Sequence, residues 1–301
     1  MASDTPAPEF LTTREVAALL RVRERKVYDL AAAGEIPCRR VTGKLLFPRA
    51  ELERWLAGSG EPDASPTPGE AAERPNVIVG SHDPLLEWAL RESGSGLATF
   101  FDGSLDGLER LAAGEAIACG THVLEPEGRE WNLAHVAAAV GSGSFVVLEW
   151  AKRQQGLIVA ADAQAELCGI ADLPGRRVAL RQPKAGARIL FEHLLDEAGL
   201  AVDRLDVVEP PARTEIDAAA AVASGDADVA LGLEAMARQY RLGFRPLIDE
   251  RYDVVVHRRA FFEPPLQGLF AFCRQPAFAA KAAALGGYDL ADHGRVHWNG
   301  A

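Results

Sequence analysis

Apolar positions follow two rhythms along the chain, and the change between them divides it. From Thr12 to Trp55 they recur at helical spacing. Val16, Leu19 and Leu20 share one face of a first short helix, with Thr12 and Glu15 at capping-box spacing to start it. A tight turn at Arg21 to Arg23 leads to a second helix over about Glu24 to Ala33, which turns Val27 and Leu30 inward and stops at Gly34. Two extended runs, Cys38 to Val41 and Lys44 to Phe47, flank the turn Thr42-Gly43 and predict a small hairpin. Pro48 opens a closing helix with Leu52, Trp55 and Leu56 on its apolar face. Residues 58–75 are rich in Pro, Gly, Ser and acidic side chains and predict a linker.

From Asn76 short apolar runs alternate with helical patterns, the signature of strand-helix units and a largely parallel sheet. Strands are predicted at Asn76 to Gly80, Leu97 to Phe101 and Ala116 to Gly120, followed by helices from Pro84 through Leu90, from Leu105 to Ala113 and from Leu133 to Val140. Phe145 to Trp150 and Gly156 to Ala160 bracket Lys152 to Gln155, which predicts a crossing between two lobes. A second unit of the same kind follows, with strands at Arg177 to Arg181 and Asp228 to Leu231 and helices over about Ala187 to Ala198 and Glu215 to Ser224. Glu250 to Asp253 lead into Val254 to Val256 as the return crossing. Pro264 to Tyr288 reads as helical, packed back on the first lobe, and the tail after Leu290 reads as loose.

The order helix, turn, helix, wing, helix resembles the excisionase-like branch of the winged helix-turn-helix proteins. That resemblance implies a second helix in the major groove and a wing along the backbone of double-stranded DNA. It makes Arg23, Arg25 and Lys26 on the helix, and Arg39, Arg40 and Lys44 on the wing, the candidate DNA contacts. The segments GSxxGL at Gly103 to Leu108, WNLAHV from Trp131, RQxxxGxR from Arg181 to Arg188, AVASGDADVALG from Ala221 to Gly232 and ERYDVVV from Glu250 resemble the type II periplasmic-binding-protein fold, in the cytoplasmic version attached to helix-turn-helix regulators. The fold class is therefore α/β: a two-lobed type II periplasmic-binding-protein-like domain preceded by a small winged helix-turn-helix domain. The expected boundaries are 9–57 for the DNA-binding domain, 58–75 for the linker, 76–290 for the ligand-sensing domain and 291–301 for the tail.

Three loops, Ser81 to Asp83, Gly103 to Ser104 and Gly186 to Arg188, precede predicted helix N-termini, where exposed amides and the helix dipole favour anions. The resemblance implies a small anionic effector between the lobes, with molybdate, tungstate or a molybdenum-cofactor-related compound favoured by association. Carried over residue by residue, Ser81, Ser104, Arg181 and Arg188 become candidate ligand contacts, with Asp83 and Trp131 lining the cleft. Ala185 and Ala187 stand where the family offers hydroxyls, so a bare oxyanion should bind weakly and gain from restored hydroxyls.

Composition adjusts this picture in three places. The net charge of −11 is uneven: between Glu9 and Gly58 there are ten Arg or Lys against seven Asp or Glu, a basic head on an acidic body. The four cysteines, Cys38, Cys119, Cys168 and Cys273, have no paired spacing and read as buried thiols in a reducing compartment. No apolar run reaches the ~20 residues of a membrane span, no signal peptide opens the chain, and a cytoplasmic protein is expected. His293 and His297 have helix-face spacing but no further ligand, so no metal or cofactor is expected. No Ser-His-Asp grouping, phosphate loop or carboxylate pair stands out, and no catalysis is expected. The reading is a homodimeric, ligand-responsive transcriptional regulator. Its rivals are an excisionase-like architectural DNA-binding protein and an enzyme built on the bilobal fold.

Overall fold

A computed structural model describes residues 10–20, 22–33, 36–41, 44–52, 74–125, 130–141, 143–163 and 167–300. The chain forms two compact units, Met1–Glu73 and Arg74–Ala301. In the first, helices Thr13–Leu20 and Glu24–Ala33 precede strands Arg39–Val41 and Lys44–Pro48. The capping box forms as its spacing predicts: the Thr12 amide donates to Glu15 Oε2 at 2.7 Å, and the Glu15 amide donates to Thr12 Oγ1 at 3.4 Å. Phe10–Thr12 adds a third strand beside Lys44–Pro48, which three residues of sequence could not announce. Leu11, Val16, Val27, Ile36, Phe47 and Leu52 close a small core of their own. Pro48 ends a strand rather than opening the helix, which is under way at residues 49–52. Arg21, Gly34, the Thr42-Gly43 turn, Trp55, Leu56 and the linker up to Glu73 lie outside the described residues, as does the Arg40 side chain.

The second unit is built on one ten-stranded sheet. Along its main path the order is Asp206–Ala212, Arg177–Arg181, Val229–Leu233, Phe145–Val159, Gly243–His257, Ala118–Thr121, Val77–Gly80 and Ala98–Phe101. The three strands at each end are mutually parallel, and the two in the middle run antiparallel to each other and to their outer neighbours. Those central strands are 15 residues each, ~50 Å at the usual rise, long enough to belong to both lobes. Phe145–Val159 is a single strand where the sequence pattern shows two apolar runs with a break at Lys152 to Gln155.

Helices cover both faces of each lobe. In the first lobe, Leu85, Leu86 and Ala89 of helix Pro84–Glu92 pack with Trp150, Tyr252 and Val254 and with Leu266 and Phe278 of the C-terminal helices. Leu108 and Leu111 of helix Ser104–Ala112 cover the opposite face with Val136. In the second lobe, Leu190, Phe191 and Leu195 of helix Gly186–Glu197 pack on one face and Ala218, Ala219 and Val222 of helix Glu215–Ala223 on the other. At ~1.5–3 kcal/mol per fully buried large apolar side chain, these layers dominate the stability of the unit.

The tail is not loose. Val296–Asn299 pairs with Phe145–Val159, Tyr288–Asp289 pairs with it at Lys152 and Arg153, and His297 Nε2 lies 2.6 Å from the buried Glu149 carboxylate. The expected four buried thiols reduce to two: Cys119 and Cys273 are buried, Cys38 is half-buried and Cys168 is exposed. Burial pushes the Cys273 thiol up to about 12. Among the described residues, no helix is long and apolar enough to cross a membrane, and no group of three or more His, Cys, Asp or Glu is placed to hold a metal ion.

Candidate functional site

In the first unit, Arg23, Arg25 and Lys26 are all exposed at the start of the second helix, and Lys44 is exposed on the hairpin. Arg25 and Lys26 make no ion pair among the described residues. Arg39 differs: its guanidinium pairs with Glu51 at 2.7 Å and is part-committed within the unit. Basic side chains thus stand ready on two separate elements.

In the second unit, a set of polar groups converges where the two central strands pass between the lobes. Strand Val77–Gly80 ends at Gly80 with φ +104°, a conformation that suits glycine, and a Cβ there would collide with the Gly120 carbonyl. The close approach delivers Ser81 beside His122, which follows strand Ala118–Thr121. Ser81 Oγ lies 2.8 Å from His122 Nε2, and His122 Nδ1 lies 2.8 Å from Glu250 Oε2. Glu250 Oε1 accepts from Arg153 Nη2 and, at 3.0 Å, from Gln155 Nε2. The other arm of Arg153 donates to Asp83 Oδ2 at 2.9 Å. Asp83 also accepts from the Leu86 amide at 2.7 Å, from Trp150 Nε1 at 3.2 Å and from the Tyr288 hydroxyl at 2.7 Å. Tyr252 donates to the Ser81 carbonyl at 2.6 Å, its ring stacks on His122, and the Arg153 guanidinium lies 4.3 Å over that ring. All of these side chains but the half-buried Tyr288 are buried, Arg153 and Glu250 fully.

The electrostatics follow from that packing. Burial pushes the Glu250 carboxyl up, but Arg153 and His122 together outweigh it and hold the group at about 2. Burial opposes the charge on Arg153, and Glu250 and Asp83 overcome it and raise its pKa. The Tyr252 and Tyr288 phenols are driven up, first by burial and then by Asp83. Two polar atoms of the cluster, Arg153 Nε and Gln155 Oε1, have no hydrogen-bond partner among the described residues. A second buried set lies beside it: Asn132, at φ +70°, donates to Asp253 and accepts from the Val123 amide, while Arg251 pairs with Asp253 and donates to the Trp131 carbonyl. Burial pushes Asp253 up to about 6, against the opposing pull of Arg251 and Asn132.

The lobes touch directly in front of the cluster. The Leu105 amide, in the first turn of its helix, donates to the Lys184 carbonyl at 3.4 Å. Gln182 Nε2 donates to the Asp102 carbonyl, Arg213 pairs with Asp102 at 2.7 Å, and Lys184 reaches Asp106 and Glu109 at 2.9 Å. Neither helix N-terminus at this seam has a side-chain cap, since Gly103 and Ala185 hold the N-cap positions. Gly186 abuts His122 so closely that a Cβ would strike the His122 carbonyl.

The six cleft positions named from sequence fall in different surroundings. Ser81 and Asp83 belong to the buried cluster, and Ser104 stands beside it, its Oγ accepting from the His122 amide at 3.3 Å. Trp131 is buried with Leu124 in the core of the second lobe. Arg181 is engaged by Glu215 and by the carbonyls of Ala212 and Arg213, and Arg188 by Glu192 at 2.6 Å. Ala187 packs into the apolar core of the second lobe, so a hydroxyl there would face that core and not a ligand. His122, Arg153, Gln155, Glu250 and Tyr252 form the centre, and none was singled out as a contact. The signal available was charge and amide within otherwise apolar crossings, Arg153 and Gln155 in one and Glu250 in the other.

Comparison with known proteins agrees with this architecture. Residues 87–274 match the PBP superfamily domain, and residues 10–59 match a helix-turn-helix domain. The chain is 28% identical over 304 residues to the uncharacterized protein YvgK of Bacillus subtilis, covering 95% of this chain and 96% of that one. An uncharacterized protein from the 5′ region of a 2Fe-2S ferredoxin gene of Clostridium pasteurianum is 35% identical over 79 residues, 26% of this chain and 70% of its own. Among solved structures, the sulfate-binding protein SubI of Mycobacterium tuberculosis superposes with a TM-score of 0.50 at 15% identity, over 70% of this chain and 85% of that one, a likeness of fold alone.

Proposed function

We propose, because the chain belongs to the PBP superfamily and carries a helix-turn-helix domain ahead of that part, that it is a ligand-responsive transcriptional regulator. The observation that carries the reading is the division of labour between the units: exposed basic side chains on a helix and a wing in one, and a polar cluster enclosed between two lobes in the other. It acts in the cytoplasm, on double-stranded operator DNA, as a homodimer, because one small head covers too little DNA for operator-level affinity. Its effector is a small anion held between the lobes, and molybdate and tungstate are the first probes. Two uncapped helix N-termini at the seam, at Ser104 and Gly186, support an anion, as does the orphaned Arg153 Nε.

DNA binding is tested by anisotropy on a labelled duplex over a salt series. Arg25→Ala and Lys26→Ala should each weaken binding across unrelated sequences and lower the salt slope by about one, as expected for a lost phosphate contact. Both side chains are exposed, so thermal unfolding should be unchanged. Equal affinity and slope in wild type and both variants would remove the recognition helix from the interface.

A second reading, an enzyme on the bilobal fold, is favoured by one observation: Ser81, His122 and Glu250 stand in the order of a serine-histidine-acid relay. A fluorophosphonate probe separates the two. A regulator leaves Ser81 unlabelled, whereas stoichiometric labelling lost in His122→Gln would establish a nucleophile.

A further inference from the structure

We propose that the cleft takes up its anion together with one proton, which His122 holds and Ser81 reads out. The proposal rests on the anion-binding reading of the cleft and names the condition under which that site accepts its ligand. Charge is the first argument. Asp83 receives four donors and Glu250 three, so neither carboxylate has room for a proton of its own, and among the described residues Arg153 is the one cation that bridges them. With His122 neutral, the buried cluster carries two negative charges against one positive. An anion brought beside it out of water meets net repulsion that solvent does not screen. One proton on His122 makes the cluster neutral.

Hydrogen-bond direction is the second argument. Glu250, ionised, can only accept, so His122 Nδ1 must carry hydrogen. In neutral His122 the Nε2 atom is therefore an acceptor; the Ser81 hydroxyl donates to it and turns lone pairs outward. In protonated His122 the Nε2–H donates to Ser81 Oγ, and the Ser81 proton becomes free for an anion. Charge and donor direction reverse together. The groups facing His122 are Ser81 from the first loop, Glu250 and Tyr252 from the return crossing, Ser104, and the uncapped N-terminus at Gly186, with Arg153 and then Asp83 the next charges beyond Glu250. Glu250 and Arg153 are held charged by each other, and burial holds the Tyr252 phenol neutral; of the relay, His122 alone has one ring nitrogen that can either accept from or donate to Ser81.

Molybdate and sulfate are the probes, since neither titrates between about pH 6 and pH 8.5, the window in which histidine does. Titration calorimetry of the full chain in buffers of different ionisation enthalpy should register uptake approaching one proton per anion bound. Affinity should be greatest at the acid end of that window and fall as pH rises, because uptake of a proton with the anion makes binding weaken as protons become scarcer. His122→Gln should bind without proton uptake and with a flat pH profile, while His82→Gln, the neighbouring imidazole, should keep both. Should His122→Gln fail to fold, the wild-type proton count decides alone. Binding of either anion with no proton taken up overturns this inference and leaves the anion site standing; no binding of either at any pH in the window overturns the anion reading and the inference with it.

Discussion

Arg153→Met should cost the second unit about 3–5 kcal/mol. Arg153 is fully buried between Asp83 and Glu250, and methionine fills much of its volume without its charge. The loss is therefore not of packing but of compensation: two carboxylates remain in a dry site without the guanidinium that bridges them. For a unit of this size that corresponds to a fall in Tm of roughly 10 °C. The pH dependence identifies the cause. In the wild type, Glu250 is held at about 2, below its unfolded value, so its contribution is present above the unfolded pKa and is lost as pH falls toward 2. In Arg153→Met the largest influence that holds Glu250 down is gone while the burial that pushes it up remains, so its pKa moves up from the wild-type value and the penalty eases as pH falls. The gap in Tm between the two proteins should accordingly narrow from pH 8 to pH 5, and Arg153→Met combined with Glu250→Met should be less destabilised than the sum of the single changes. A gap of constant size at all pH values would mean that the arginine acts by packing.

The same cluster explains which parts of the molecule could be read from sequence. Capping at Thr12 and Glu15, the paired extended runs up to Phe47, and the strands around Ile78 and Val178 depend on neighbours within a few residues or on alternation of apolar side chains, and both are visible in a linear pattern. Phe145–Val159 defeats that pattern because its central residues are charged or amide side chains, which ordinarily mark a surface loop. Here Glu149, Arg153 and Gln155 are buried because their partners arrive from other elements: Arg153 meets a carboxylate 97 residues away, and His122 meets the same carboxylate at a separation of 128. The tail misleads for the same reason. Val296–Asn299 is too short and mixed to announce a strand, and it forms one because Phe145–Val159 has a free edge there and Glu149 offers a carboxylate to His297. Arg181 and Arg188 illustrate the converse: an arginine near a helix start suggests an anion, but Glu215 and Glu192 already meet them.

Gly186→Ala should hold the lobes apart without weakening either of them. At the first position of its helix, alanine is a better helix former than glycine, by roughly 0.5–1 kcal/mol, so the helix itself gains. The new methyl group, however, would fall well inside the sum of van der Waals radii to the His122 carbonyl oxygen and 3.0 Å from the imidazole, both across the seam. Overpacking of that kind costs about 1–3 kcal/mol wherever the neighbours cannot give, and His122 is held on both ring nitrogens. Opposing it is a clasp of small pieces. The Arg213 and Lys184 side chains are 74% and 47% exposed, so their pairs with Asp102, Asp106 and Glu109 are worth little, and the remaining contacts are single hydrogen bonds. A penalty of that size shifts an open-closed balance by about five- to 150-fold, enough to make the open form prevail. Expected results are a larger radius of gyration in small-angle scattering, faster hydrogen exchange at the Leu105 amide, and a Tm equal to or above that of the wild type. Anion affinity should fall by the same factor as the closed population, since the two uncapped helix ends no longer meet. A variant with unchanged scattering and an unchanged Leu105 amide would mean that the helix start slides aside, and that the seam does not set the closure of the cleft.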